Sequence, residues 1–563
     1  MKFSPLKRNI GVVVFFVLLT VIMTYPWSTQ LSSTVKTGGD TYFNIWTITW
    51  DVHMFQENPQ DIFDANIFHP RENTLAYSEH LIGTALIAWP IITLTGNPVL
   101  AYNLIIFAFF VLGAYCMYLL LYYFTKNIHI SLLGGIIYGF NAYMFLHFNL
   151  LHITAVFFFP LMFLLLHKLV TSQKKIKYFS LFTLICIALG YMSGYFFLMM
   201  SIIVPVFLIV YFTVIKKKLP DKKLIIKFGI SLFIIVAVVM PVYYPYLTLR
   251  DETGYDRSYA MVNHYSPTVI DYLTFSPLLM GLFELPKIIF KTYIYSGFTL
   301  MFLLIFSIIM FFKKYYKQQR ILNNFILYAT IGIICFLLSF GVVIRFSESD
   351  AGIIGPFMLL FEFIPGFSSL RAMGRFSIVI LMSMTVIISM VLHQYLSKIK
   401  KKSLYLGIVS LLASLIVLEY LIIPPLKPIG LESVRTGSNI PEVYQWLAEE
   451  EDDIVVLELP FWIDAENQSV KYMYYSTYHW KKLINGYSGY YPPEYMEFTL
   501  KPLKDMLNDD TIKEIKERGA NYIIMHTNAS AEFIQELQES DFESNEHLLL
   551  VEKFGYDHVY QLR

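Results

Sequence analysis

The chain has 563 residues, of which 56% are hydrophobic, 17% aromatic and only 15% charged, with a formal net charge of +1. A soluble domain carries about 25% charged residues, and nucleic-acid binding needs a basic surplus, so both are excluded as readings. The three cysteines, Cys116, Cys186 and Cys335, lie inside apolar runs, which argues against a disulfide framework or a cysteine metal site.

Lys2, Lys7 and Arg8 precede an apolar run from Ile10 to Tyr25. No small-residue cleavage site follows, so this run reads as an uncleaved first helix with a cytoplasmic N-terminus. Basic residues then cluster at Lys174, Lys175 and Lys177; at Lys216 to Lys218 with Lys222 and Lys223; at Lys313, Lys314, Lys317 and Arg320; and at Lys398, Lys400, Lys401 and Lys402. Lys and Arg gather on the cytoplasmic side of a membrane. Placing all four clusters inside predicts about eleven transmembrane helices, near 10–27, 98–123, 131–148, 153–170, 178–194, 196–215, 224–247, 293–312, 321–343, 376–396 and 404–424. Leu81 to Thr95 is short and contains Pro90. It reads as a re-entrant or interfacial segment, or as an extension of the next span, and Gly352 to Pro365 is treated likewise. The expected organisation is a polytopic α-helical membrane domain over 1–426 with outer loops at 28–97, 248–292 and 344–375. An extracytoplasmic domain over 427–563 follows it. A bacterial plasma membrane suits the composition.

The first outer loop opens with "GGDTYFNIWTITWDVH", Gly38 to His53. Trp46 and Trp50 are four apart, so residues 41–55 read as an amphipathic helix at the membrane surface with tryptophans at headgroup depth. Asp40 stands just before that helix. It is either an N-cap or a catalytic carboxylate at the water–lipid boundary. Further on, Glu79 and His80 form a carboxylate–imidazole pair of the kind that transfers protons or holds a divalent ion.

Other candidates also fall on the outer face. His147 and His152 flank a tight turn between two spans. Arg250, Arg257 and His264 lie in the second outer loop, either lining a binding site or belonging to a mobile surface loop. In the tail, residues 441–451 read as a helix, 453–460 as a buried strand, 510–527 as helix then strand, 530–540 as a helix, and the last residues as a hairpin. That alternation predicts a small α/β domain. Its segment Tyr472 to Tyr491 is rich in aromatic residues, which are either core or a surface for a sugar.

The stretches "GGDTYFNIWTITWDVH", "IFDANIFHP", "TLAYSEHL" and "TGNPVLAYNL" resemble a family of prokaryotic integral-membrane glycosyltransferases with the GT-C fold. "IPGFSSLRAMGRFSIV", "YYSTYHWKKLINGYSGYYPPEY" and "VEKFGYDHVYQLR" extend the resemblance nearly to the end of the chain. The resemblance implies a polyprenyl-phosphate-linked sugar as donor, transfer to an extracytoplasmic acceptor, and Asp40 as base or metal ligand. Asp40, Glu79 and His80 are then the candidate ligands of a divalent cation, Mg or Mn. The first loop has no Asp-x-Asp, so a metal requirement stays open. Arg371 and Arg375, four apart on one helix face, suit the donor phosphate by the fork geometry of guanidinium. Glu79, His80, His147, His152, Arg250, Arg257 and His264 are candidates for acceptor or donor contact. A lipid-linked-sugar flippase would instead carry ionisable residues at bilayer depth and internal repeats. A non-catalytic envelope-assembly protein would tolerate loss of Asp40.

Overall fold

The computed structural model describes residues 4–172, 174–254, 256–273, 297–348, 350–421, 430–451, 453–460, 466–501, 505–527 and 539–563. The chain forms two compact units. One comprises Met1–Gln30, Leu104–Pro241 and Tyr255–Gly430; the other comprises Leu31–Asn103, Val242–Gly254 and Leu431–Arg563.

Among the described residues, ten helices are long and apolar enough to cross a membrane: Pro5–Met23, Pro98–Thr125, Ile128–His147, Lys175–Met192, Gly194–Ile215, Lys222–Thr253, Phe298–Tyr315, Gln319–Ser339, Met373–Leu396 and Lys402–Tyr420. Lipid offers no hydrogen bonds, so every backbone group of such a run must be paired within its own helix. Hydroxyls inside the spans follow the same rule: Thr20 Oγ1 donates to the Phe16 carbonyl at 2.8 Å and Thr385 Oγ1 to that of Leu381 at 2.7 Å. The Met373–Leu396 span is 89% buried, whereas Lys402–Tyr420 is only 17% buried. The first is therefore enclosed by other helices and the second offers most of its surface to lipid. Residues 153–170, expected as a span, hold a short turn at Leu151–Thr154 and a 14-residue helix, Phe158–Thr171. Pro160 lacks the N–H a longer N-terminal extension would need. Ile82–Thr95 is a separate helix with Pro90 inside it, closed by Gly96.

The tail forms the expected α/β fold. Its strands are β1 (Val455–Leu459), β2 (Lys482–Leu483), β3 (Tyr522–His526), β4 (Leu548–Phe554) and β5 (Asp557–Leu562), in spatial order β2-β1-β3-β5-β4. β1 pairs parallel with β2 and β3, while β5 pairs antiparallel with β3 and β4. Side chains alternate across a strand, so β1 feeds two cores. Val455, Leu457 and Leu459 pack with Ile512, Ile515 and Phe498 on one face. Val456 packs with Val443, Leu447 and Tyr472 on the other. The expected helix at 530–540 falls mostly outside the described residues. Of the second outer loop, 274–292 lies outside them as well.

The same unit holds the loop expected to lie outside, within Leu31–Asn103. Thr34–Lys36 pairs antiparallel with Leu431–Ser433. The helix Gly39–Glu57 follows, and it packs on the helices Ile82–Thr95 and Glu466–Ser476. It is not the surface helix the tryptophan spacing suggests. Trp46 and Trp50 are buried, and each indole N–H is spent inside: Trp46 donates to Asn66 Oδ1 at 3.2 Å and Trp50 to the Ile62 carbonyl at 2.9 Å. A helix packed on several sides needs no amphipathic stripe.

Candidate active site

The turn into the Asp40 helix explains the paired glycines. Gly38 takes φ 142°, a conformation closed to residues with a Cβ, and stands as the N-cap residue without a side-chain cap. The helix then begins at Gly39, so Asp40 lies within its first turn rather than capping it. Its carboxylate is favoured there by the helix N-terminus and stays half-buried. Tyr487 donates its hydroxyl to Asp40 Oδ1 at 3.2 Å. Lys36 is half-buried beside it; burial lowers the ammonium to about 8, and the Asp40 carboxylate pulls it back up. The result is a carboxylate reachable from solvent, with one hydroxyl donor and a nearby cation.

The Tyr487 ring packs edge-on against Phe43, one turn along the Asp40 helix from Asp40, at 5.9 Å. The neighbouring Gly486 has no room for a Cβ, which would meet the Phe68 ring at 2.3 Å. Phe68 N–H bonds to the Asn485 carbonyl at 3.2 Å, fixing the Asn485–Tyr487 segment against the first loop. Tyr487 belongs to the aromatic stretch singled out in the sequence, but its link to Asp40 has no local signal.

Glu79 and His80 do not form a working pair. His80 is fully buried against the rings of Tyr243 and Tyr246, and its ring nitrogens have no hydrogen-bond partner among the described residues. Burial lowers its imidazole to about 4, so it is neutral and sealed from solvent. Among the described residues no three of His, Cys, Asp and Glu converge as a metal site, so Asp40, Glu79 and His80 do not form one. Asp51 is fully buried, and that burial holds its carboxyl well above the usual range, against the opposing Leu81 N–H. His53 stacks flat on Trp480 at 3.9 Å.

The other unit gathers a second set. Arg371 and Arg375 do not share a helix face: Met373–Phe376 is a 3-10 turn, and the α-helix starts at Ser377. Each guanidinium instead lies on its own ring, Arg371 over Tyr265 at 4.9 Å and Arg375 over Tyr195 at 4.1 Å. The second outer loop is tied to the same segment. Arg257 N–H bonds to the Ser368 carbonyl at 3.0 Å, and Ser368 Oγ donates to Asp256 at 2.6 Å. His264 packs edge-on against Tyr265. Arg257, His264, Arg371 and Arg375 are thus brought into one neighbourhood. His147 is held by its own helix, Nδ1 to the Tyr143 carbonyl at 2.9 Å, and His152 sits in the short turn Leu151–Thr154. Arg250 closes the last turn of Lys222–Thr253, within the unit that holds Asp40.

No family model matches the chain, and no curated protein matches it. Solved structures do. The oligosaccharyltransferase of Archaeoglobus fulgidus in complex with Zn and sulfate aligns at a TM-score of 0.51 and 13% identity, over 97% of this chain and 72% of that one. Arabinofuranosyltransferase AftD from mycobacteria aligns at 0.52 and 12% identity, over all of this chain and 40% of that one. ArnT from Cupriavidus metallidurans, bound to undecaprenyl phosphate, aligns at 0.52 and 10% identity over 98% of both chains. The chain has the GT-C fold. Identities this low carry architecture alone, and in the GT-C fold that architecture is a polytopic helical membrane body. The match to ArnT over nearly all of both chains extends the GT-C likeness through the tail.

Proposed function

We propose that the protein is a membrane glycosyltransferase that moves a sugar from a polyprenyl-phosphate donor to an acceptor outside the cytoplasm. Asp40 is the base. It takes the proton of the acceptor hydroxyl as that oxygen bonds to the anomeric carbon and the bond from that carbon to the donor phosphate breaks. Arg371 and Arg375 bind the donor phosphate, whose leaving charge needs cations. The plasma membrane, with the tail outside, is the location this reading requires.

The observation that carries it is the Asp40 carboxylate, half-exposed in the first turn of an otherwise buried helix with Tyr487 donating to it. A carboxylate kept only as a cap would be bonded to its own backbone, and this one is not seen doing so.

The test is glycan and glycolipid profiling of cells with the wild-type protein, without it, and with Asp40→Asn. The reading predicts that Asp40→Asn accumulates to wild-type level yet loses the same sugar as the deletion. A normal glycan from Asp40→Asn would sink the transferase reading and favour transport or assembly.

A further inference from the structure

The tail contains a cleft that the Asp40 chemistry does not use. It has a volume of about 640 Å³, within the range of ~300–1,000 Å³ typical of small-molecule sites. It lies where the parallel strands β1 and β3 end, the edge at which α/β sheets bind ligands. His526, the last residue of β3, lines it, as does Asp557, the first residue of β5.

The cleft's floor is rigid. His526 Nε2 donates to Glu458 Oε2 at 2.9 Å and Nδ1 to Asp557 Oδ1 at 2.8 Å. Both ring nitrogens face carboxylates, so both carry protons. Tyr444 donates to the same Glu458 oxygen at 2.7 Å. The Tyr472 ring stacks on His526 at 4.8 Å, and Tyr475 stacks on Tyr444 at 4.6 Å. Three adjacent strands therefore fix a set of tyrosines whose rings line the cleft. Across from them Tyr556 is 66% exposed, a large ring left in water at the cleft edge.

The charge around the cleft is balanced. Arg435, Lys471 and the His526 imidazolium stand against Glu442, Asp557 and the buried Glu458. That balance gives no field to collect a polyanion. Tyr444 and Tyr472 are buried against Tyr475 and His526, so the exposed Tyr556 ring is the aromatic face left to a ligand; with polar side chains such as Asn439 and Gln468 beside it, it suits a ligand with apolar C–H faces and many hydroxyls.

One wall leads to the Asp40 helix. Gln468, Lys471, Tyr472 and Tyr475 all come from the helix Glu466–Ser476, which packs on Gly39–Glu57. Tyr474 of that helix meets Tyr42 edge-on at 5.7 Å, and Lys471 Nζ lies 5.9 Å from the same ring.

We propose that this cleft is a carbohydrate-binding site for a neutral, pyranose-containing glycan. That the glycan is the acceptor, held by the helix that also supports the Asp40 helix, rests on the transferase reading above.

The experiment is a binding titration of full-length protein in detergent on immobilised short neutral and uronic-acid-containing oligosaccharides. Wild type, Tyr556→Ala and Gln468→Ala are compared. The expected result is saturable binding to a neutral oligosaccharide, weakened about tenfold or more by Tyr556→Ala, which corresponds to ~1.4 kcal/mol or more. Gln468→Ala weakens it less. Tyr556 is exposed, so its loss does not threaten folding. The proposal is overturned if wild type binds no neutral oligosaccharide, if it binds only the acidic ones, or if Tyr556→Ala and Gln468→Ala both bind as wild type does. Persistence of sugar transfer in Asp40→Asn would remove the transferase reading but leave the binding result to decide the cleft.

Discussion

Tyr487 donates its hydroxyl to the carboxylate of Asp40 at 3.2 Å, across 447 positions of sequence. Asp40 comes from the first loop after the opening span and Tyr487 from the tail, and both belong to one compact unit. The tail therefore supplies a hydrogen bond to the carboxylate on which the proposed chemistry depends.

Removing that hydroxyl separates positioning from catalysis. Asp40→Asn is expected to lower transfer by the roughly 10²–10⁴ that a general base contributes. Tyr487→Phe keeps the ring against Phe43 and loses only the hydroxyl. It is expected to cost about tenfold, mainly in kcat, as befits one hydrogen bond to a charged group. Single-turnover transfer with the purified protein reads both. Equal losses from the two variants would mean that Tyr487 does more than orient.

Asp51 gives a pH signature in stability. Burial raises its carboxyl well above the usual range, so the folded chain holds a proton that the unfolded chain releases. The stability this confers is full below the ordinary carboxylate pKa of about 4 and is lost as pH rises above it. Asp51→Asn cannot ionise. It should match or exceed wild type in thermal unfolding at pH 8, with the difference narrowing at pH 5. A variant several degrees less stable at pH 8 would contradict a neutral Asp51.

His526 acts in the same direction, at higher pH. Its two carboxylate partners raise the imidazolium to about 9 despite burial. The stabilisation is full below the ordinary histidine value of about 6.5 and fades as pH rises through about 9. Thermal stability of the tail should thus decline between these limits. His526→Gln should flatten that decline and cost roughly 3–5 kcal/mol, because Glu458 is left buried without its cation. Unfolding followed by tyrosine and tryptophan fluorescence across the range checks both the slope and its loss.

Arg371 and Arg375 are tested by a change that keeps charge. Lysine at either position preserves the cation but gives up the flat fork and its stacking on Tyr265 or Tyr195. The expected effect is a rise of roughly tenfold in KM for the polyprenyl-phosphate donor, with protein abundance unchanged. An unaltered donor KM in both variants would place the phosphate elsewhere.

Much of the architecture was legible in the residues because its causes are local. Twenty-residue apolar runs have only one way to pair their backbone in lipid, and the observed spans follow the expected ones closely. The tail's alternation of helix and strand was readable for the same reason, down to the closing hairpin. Local periodicity misled at the Asp40 helix and at the arginines. Trp46 and Trp50 looked like interfacial anchors until Asn66 and Ile62 took up their N–H groups. Arg371 and Arg375 looked like neighbours on a helix until the turn at Met373–Phe376 sent them to different rings.

The sequence by itself determined that this chain spans a membrane many times, carries an α/β tail, and bears an acidic residue after two glycines beyond its first apolar run. Each of these rests on interactions between residues near one another in the chain. Only the tertiary structure decided that Tyr487 meets Asp40, that His80 is sealed between tyrosines, and that Glu458, His526 and Asp557 floor a cleft. Those pairings depend on strand order and helix packing, which bring together residues whose separation leaves no periodic trace.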